Sequence, residues 1–203
     1  KFPKLISLIS IGAFWIVAFL TLLVHLGYIG RLSVILPESV ILVVALLVSI
    51  FLAFLVRRVS GPAALTAASV TAAAGGTIIG YMIPLFTFIA LTASLAVFDI
   101  VMVKKGYLSL LSQEQYRDRI HLLRGLVVEV GNVNLGLGDL LFYTITVTAA
   151  FFRLGLIPAI ASNLAIMIGY YLTLQLLKKW DTVPGLTIPL VLALASAFAA
   201  HYL

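Results

Sequence analysis

Polar and charged residues in this chain gather in short intervals, and the stretches between them are almost continuously apolar. Seven such stretches run Leu5 to Tyr28, Val34 to Val56, Ala63 to Ile83, Leu85 to Val103, Leu135 to Phe152, Leu154 to Leu177 and Leu186 to Tyr202. A hydrocarbon core of ~30 Å takes about 20 helical residues, so each stretch predicts a membrane-spanning helix. Helices are expected because an open strand would leave backbone groups unpaired in lipid. Most connections are short, which makes sequential helices antiparallel neighbours. The pattern predicts an all-α, polytopic transmembrane helix bundle of about seven spans. One interval breaks the pattern. In the long connection from 104 to 134, Ser112 followed by Gln115 reads as a capping box opening a short surface helix through Leu123. After Gly125, Leu126-Val127-Val128-Glu129-Val130 predicts a strand.

Composition agrees with the pattern: 63% of residues are apolar and 10% charged, with a mean hydropathy of +1.22, far from the soluble average of about 45–50% apolar and about 25% charged. The net charge of +6 does not indicate a nucleic-acid partner, because the basic residues sit in the connections, where they report topology. Lys1, Lys4, Arg57, Arg58, Lys104, Lys105, Arg117, Arg119, Arg124, Lys178 and Lys179 fall on one side, and Arg31 and Arg153 on the other. That asymmetry predicts a cytosolic amino terminus, an extracytoplasmic carboxyl terminus and a cell-membrane location. The chain opens on Lys1, which a trimmed chain explains, and its first apolar run is too long, and followed by too many others, for a cleaved signal peptide. With no cysteine there is no disulfide, thiol nucleophile or iron–sulfur ligation. His25, His121 and His201 are isolated, so neither a metal site nor a cofactor is expected.

Candidate chemistry rests on two acids. Apart from Glu38, near the start of the second stretch, Asp99 and Asp139 are the only acidic residues inside the long apolar segments, and a carboxylate at mid-membrane depth costs roughly 2.5–3.5 kcal/mol on insertion scales. Asp99 lies five residues before Lys104 and Asp139 five after Asn134. On antiparallel helices rising 1.5 Å per residue, both acids sit roughly 7–8 Å inside the same boundary. No lysine or arginine lies mid-span to neutralise either. Gly136 and Gly138 flank the second acid; with a helix running through both, Gly136 shares the face of Asp139, and the missing side chains clear room beside the carboxylate. Tyr143, one turn on, suits the same cleft or an ordinary core equally well. Gly76 and Gly80, with Ala72, are explained by helix packing. A third element re-enters the membrane from the same side as Asp181-Thr182-Val183-Pro184-Gly185-Leu186-Thr187-Ile188-Pro189. Its prolines donate no backbone hydrogen bond and Gly185 resists helix. Irregular backbone at this depth must be buried or line a wet cavity, which suits it to gripping an extended peptide; a proline-capped helix start is the plainer alternative.

Ala96-Val97-Phe98-Asp99-Ile100, Gly136-Leu137-Gly138-Asp139-Leu140-Leu141-Phe142-Tyr143 and Pro184-Gly185-Leu186 together resemble the three signatures of the presenilin and signal peptide peptidase family of intramembrane aspartyl proteases. These are Tyr-Asp, Gly-x-Gly-Asp and Pro-Ala-Leu. The resemblance covers roughly Leu85 to Leu203, and the order, spacing and depth of the motifs match. Phe98 replaces the usual tyrosine, Gly185 replaces alanine, and Thr187 stands where many relatives have a second proline. The family has nine spans, so either the three spans of 1–84 correspond to its third to fifth, or two spans of the family pattern are missing from this sequence; in both cases 1–84 would be a scaffold for the catalytic helices of 85–203. The topology read from charge resembles presenilin, and the short loops suggest a microbial homologue. The resemblance implies that Asp99 and Asp139 activate water to cleave peptide bonds within transmembrane helices. It implies that Gly136, Leu137, Gly138, Pro184, Gly185 and Leu186 hold the unwound substrate, and that the strand around Val128 pairs with it. The expected partners are transmembrane-helix substrates and the lipid bilayer; a homo-oligomer is compatible with such a chain, and no accessory subunit is indicated.

Two other classes compete. An ion-coupled secondary transporter would use both aspartates to carry protons or sodium at a broken helix, although the two halves of the chain show no evident similarity. A non-catalytic helix-binding module would keep its activity without either acid. Prepilin-type peptidases share Gly-x-Gly-Asp but commonly carry a lysine shortly after the aspartate, where this chain has Leu140-Leu141.

Overall fold

The computed structural model describes residues 2–33, 37–59, 62–104, 127–130, 133–180 and 183–203. Among these are seven helices: α1 (Phe2–Ser33), α2 (Glu38–Arg58), α3 (Pro62–Met82), α4 (Leu85–Lys104), α5 (Leu137–Leu154), α6 (Leu156–Leu177) and α7 (Thr187–Tyr202). A two-stranded antiparallel hairpin, β1 (Val127–Val130) and β2 (Val133–Gly136), directly precedes α5. Among the described residues the protein is thus all-α apart from this hairpin. Six helices, α1 to α6, are long and apolar enough to cross a membrane, which makes the chain an integral multi-pass membrane protein. The seventh apolar stretch forms α7, whose 16 residues reach ~24 Å.

The strand after Gly125 is present as β1, but the following helix starts at Leu137 and not at Leu135. Leu135 and Gly136 belong to β2, paired with Val128 and Val127. Gly136 therefore does not share a helical face with Asp139; once its backbone is in the ladder, the helix can begin only after it. The surface helix expected from Ser112 to Leu123 lies outside the described residues, as do Asp181 and Thr182.

The chain divides into two compact units, Lys1–Gly75 with Arg119–Gly138, and Gly76–Asp118 with Asp139–Leu203. In the first, α1 and α2 pack along one another. The buried positions of α2, Ile41, Ala45, Ser49, Ala53 and Val56, form a helical stripe of mostly small residues. Leu42, Leu47, Phe51 and Phe54 on its other faces are exposed. This is membrane logic: lipid is as apolar as leucine, so size and not polarity selects the packed face.

The second unit carries the candidate chemistry. Here α6 and α7 pack along each other, and α7 also packs against α4. The last turns of α3 belong to it because Gly76 and Gly80 lie directly on α5. A Cβ at Gly76 would stand 2.8 Å from both the Leu141 carbonyl oxygen and Thr144 Cβ, and one at Gly80 would stand 2.8 Å from both the Ile145 carbonyl oxygen and Thr148 Cβ. Tyr143, Ile166, Leu190 and Ala193 form one buried cluster, and Ala150, Ala159 and Ala197 another. At the far end of α5, Arg153 donates from Nε to the Ile83 carbonyl (2.8 Å) and from Nη2 to that of Tyr81 (3.0 Å). These two bonds satisfy carbonyls that the end of α3 leaves without helical partners. His201 Nδ1 on α7 lies 3.1 Å from the Leu154 carbonyl. The turn from α5 into α6 needs glycine, since Gly155 has φ +113°.

Candidate functional site

The site is built around the start of α7. Its backbone enters irregularly through Val183 and Pro184, turns at Gly185 and Leu186, and becomes helical at Thr187. Pro189 therefore falls in the first helical turn, where its missing N–H costs nothing, and the helix closes with Leu190 N–H donating to the Leu186 carbonyl at 3.0 Å. The irregular entry and the proline-started helix are both present, one after the other.

No side chain of α7 caps its own amino terminus; Asp99, from the last turns of α4, does so across the interface. Its Oδ2 accepts from Leu186 N–H at 2.7 Å, from Thr187 N–H at 3.0 Å and from the Thr187 hydroxyl at 3.1 Å. The amino end of a helix presents unpaired N–H groups and a partial positive charge, so a carboxylate there is held without a cationic partner. This explains how Asp99 is accommodated at half-burial with no lysine or arginine mid-span. The Thr187 hydroxyl is also 3.0 Å from the Ala96 carbonyl oxygen of α4.

Asp139 lies in the first turn of α5 and is half-buried, where the helix dipole again favours a carboxylate. One turn on, Tyr143 is buried in the core cluster, and its hydroxyl donates to the Gly185 carbonyl at 3.0 Å. It is both a core tyrosine and a part of the site, because a buried phenol needs a partner for its hydroxyl. Tyr143 also lies within electrostatic reach of both Asp139 and Asp99, and Tyr170 of α6 within reach of Asp139. Segments around 99, 139–143 and 185–187 thus meet.

Close backbone packing holds this arrangement. A Cβ on Gly169 of α6 would lie 2.5 Å from Pro189 Cα and 2.8 Å from Pro189 N, so α6 presses directly on the first turn of α7. Gly138 and Gly185 are the opposite case: a Cβ on either would meet nothing within 4 Å. Neither glycine is required by a neighbouring atom.

The expected site residues therefore divide. Asp99, Asp139, Pro184, Gly185 and Leu186 belong to the second unit. Leu137 and Gly138, the first residues of α5, and Gly136 and Val128 of the hairpin belong to the first. Val128 pairs with Leu135 inside the hairpin. Sequence reasoning missed Thr187 as a ligand of Asp99, Gly169 as the seat of α7, and Tyr170. Only Thr187 carried a signal, as the residue after Pro-Gly-Leu at a helix start. No cluster of three or more metal-ligating side chains occurs among the described residues. No family model matches the chain, and no curated protein is significantly similar to it.

Proposed function

We propose that the protein is an intramembrane aspartyl endopeptidase in which Asp99 and Asp139 hydrolyse a peptide bond of a transmembrane-helix substrate. One observation carries this reading: the Pro-Gly-Leu turn is bonded to Asp99 through Leu186 N–H and to the Asp139 helix through Tyr143. Three motifs separated by tens of residues are joined by specific bonds, at a place where a substrate backbone would need both acids and an irregular main chain.

Two carboxylates acting on one peptide bond work most cheaply with one proton between them. The ionised acid takes a proton from water as the water oxygen attacks the carbonyl carbon, while the protonated acid donates to the carbonyl oxygen. Collapse of the tetrahedral intermediate breaks the C–N bond, and a proton passes to the leaving amine. Oδ2 of Asp99 already accepts from two N–H groups, so a proton held by Asp99 resides on Oδ1. The open space at Gly185 leaves room for an unwound strand beside the Pro-Gly-Leu turn. The charge asymmetry of the connections supports a cytosolic position for this end of the helices.

The test is cleavage of a single-span reporter by the purified chain in lipid, beside Asp99→Asn and Asp139→Asn. Asparagine keeps an oxygen that can accept from Leu186 and Thr187, so the turn survives while the acid is lost. Cleavage within the span that both substitutions abolish supports the proposal. A substituted protein that cuts as well as the wild type refutes it, and absence of cutting across several reporters and lipids turns attention to proton flux and the transporter reading.

A further inference from the structure

The Thr187 hydroxyl has one hydrogen and two acceptors, the Asp99 carboxylate at 3.1 Å and the Ala96 carbonyl at 3.0 Å. Its own N–H is already committed to Asp99 at 3.0 Å. Thr187 therefore touches one carboxylate oxygen through two groups and ties that oxygen to the backbone of α4. Among the described residues, the three bonds to Asp99 all fall on Oδ2 and none on Oδ1, so the carboxylate plane is set by the start of α7. A proline at this position would offer neither donor.

We propose that Thr187 is a positioning residue for Asp99: its hydroxyl holds Oδ2 against the start of α7 and leaves Oδ1 as the oxygen that works on water and substrate. This deepens, and rests on, the protease reading. The hydroxyl also follows the charge of its partner. Against an ionised Asp99 it donates to Oδ2. When the acid takes up a proton on Oδ1, Oδ2 becomes a weaker acceptor and the hydroxyl turns to Ala96. The carboxyl group can then change protonation state without rotating and without losing its two backbone bonds. Among the described residues, Tyr143 of α5 lies within electrostatic reach of Asp99, Asp139 and Tyr170, and Tyr170 of α6 within reach of Asp139.

Two variants of the full chain in lipid test the assignment. Thr187→Val keeps the shape and the N–H but removes the hydroxyl, and Thr187→Ser keeps the hydroxyl. With the reporter titrated to separate kcat from KM, valine is expected to lower kcat about ten-fold, the equivalent of one charge-assisted hydrogen bond, at unchanged KM. Serine is expected to restore most of that loss. A role in packing alone would make serine, which lacks the methyl group, the worse of the two. Valine at wild-type kcat, or serine as slow as valine, overturns the proposal.

A second readout does not depend on cleavage. The infrared difference between a protein and its Asp99→Asn form isolates the carboxyl band of Asp99. That band should move in the Thr187→Val background and stay in place in the Thr187→Ser background. An unmoved band refutes the role of Thr187 even if the chain is a protease. A moved band in a chain that cuts no reporter retains the hydroxyl contact and removes the protease reading.

Discussion

Gly169→Ala tests how the site is held together. The added methyl group would stand 2.5 Å from Pro189 Cα, 2.8 Å from Pro189 N and 3.2 Å from Ile188 C. Carbon atoms rest at about 3.5–4.0 Å, so the first turn of α7 must retreat from α6 by roughly 1 Å or more. The obstacle is backbone and Pro189 is fully buried, so no side chain can swing aside. Overpacking of this kind costs about 1–3 kcal/mol. A retreat of that size would also stretch the 2.7 Å bond from Leu186 N–H to Asp99 beyond hydrogen-bond range, adding the ~1–2 kcal/mol lost with a helix cap. At roughly 2–4 °C per kcal/mol for a chain of this size, the apparent Tm should fall by about 5–15 °C. Reporter cleavage should drop further than stability, since Asp99 loses the frame that orients it. Gly12→Ala is the control: a Cβ there meets nothing within 4 Å, and alanine should be neutral or stabilise by up to ~1 kcal/mol. If Gly169→Ala melts and cuts like wild type, α6 does not seat the start of α7 and the geometric argument fails.

Three other substitutions separate fold from function. Gly138→Ala meets only open space and should leave the apparent Tm unchanged or slightly raised; if a substrate strand passes beside Asp139, KM should rise several-fold, and an unchanged KM would show that the space is not used. Arg153→Ala removes two bonds to carbonyls at the end of α3 and should cost about 1–3 kcal/mol in a thermal melt; because it lies 14 residues, ~21 Å, along α5 from Asp139, a kcat loss larger than the stability loss would contradict this purely structural role. In the hairpin, Val130 and Val133 form the closing pair, so the alternation of an antiparallel ladder predicts that Val128 bonds inward to Leu135 while Glu129 N–H faces the outer edge. Val128→Pro should therefore damage the hairpin itself, whereas Glu129→Pro should spare it and slow cleavage if substrate pairs there; equal rates for Glu129→Pro and wild type would remove substrate pairing along β1.

Much of the fold was legible because the bilayer imposes a length and a composition on every span. Each of the six apolar stretches from Leu5 to Leu177 overlaps a helix of spanning length, and the run at Val127–Val130 is a strand, since β-branched residues between polar neighbours favour one. The errors fell where local pattern carries no directional information. Leu135 and Gly136 continue the apolar run of α5 and look helical, yet their partners are Val128 and Val127 across a hairpin. Periodicity could not say which face of α2 or α6 is packed, because lipid and protein interior are equally apolar.

The sequence by itself determined that the chain crosses a membrane, that two acids stand in its apolar segments without mid-span cations, and that the backbone breaks near Pro184. Only the tertiary structure decided what those features do for one another. Asp99 takes its partners from residues 87 and 88 positions away, and no local pattern encodes a bond of that span. The same holds for the glycines: Gly76, Gly80 and Gly169 are filled by a neighbouring backbone or side chain, while Gly138 and Gly185 face open space. Both groups look alike as letters, because what distinguishes them is the distance to an element elsewhere in the chain.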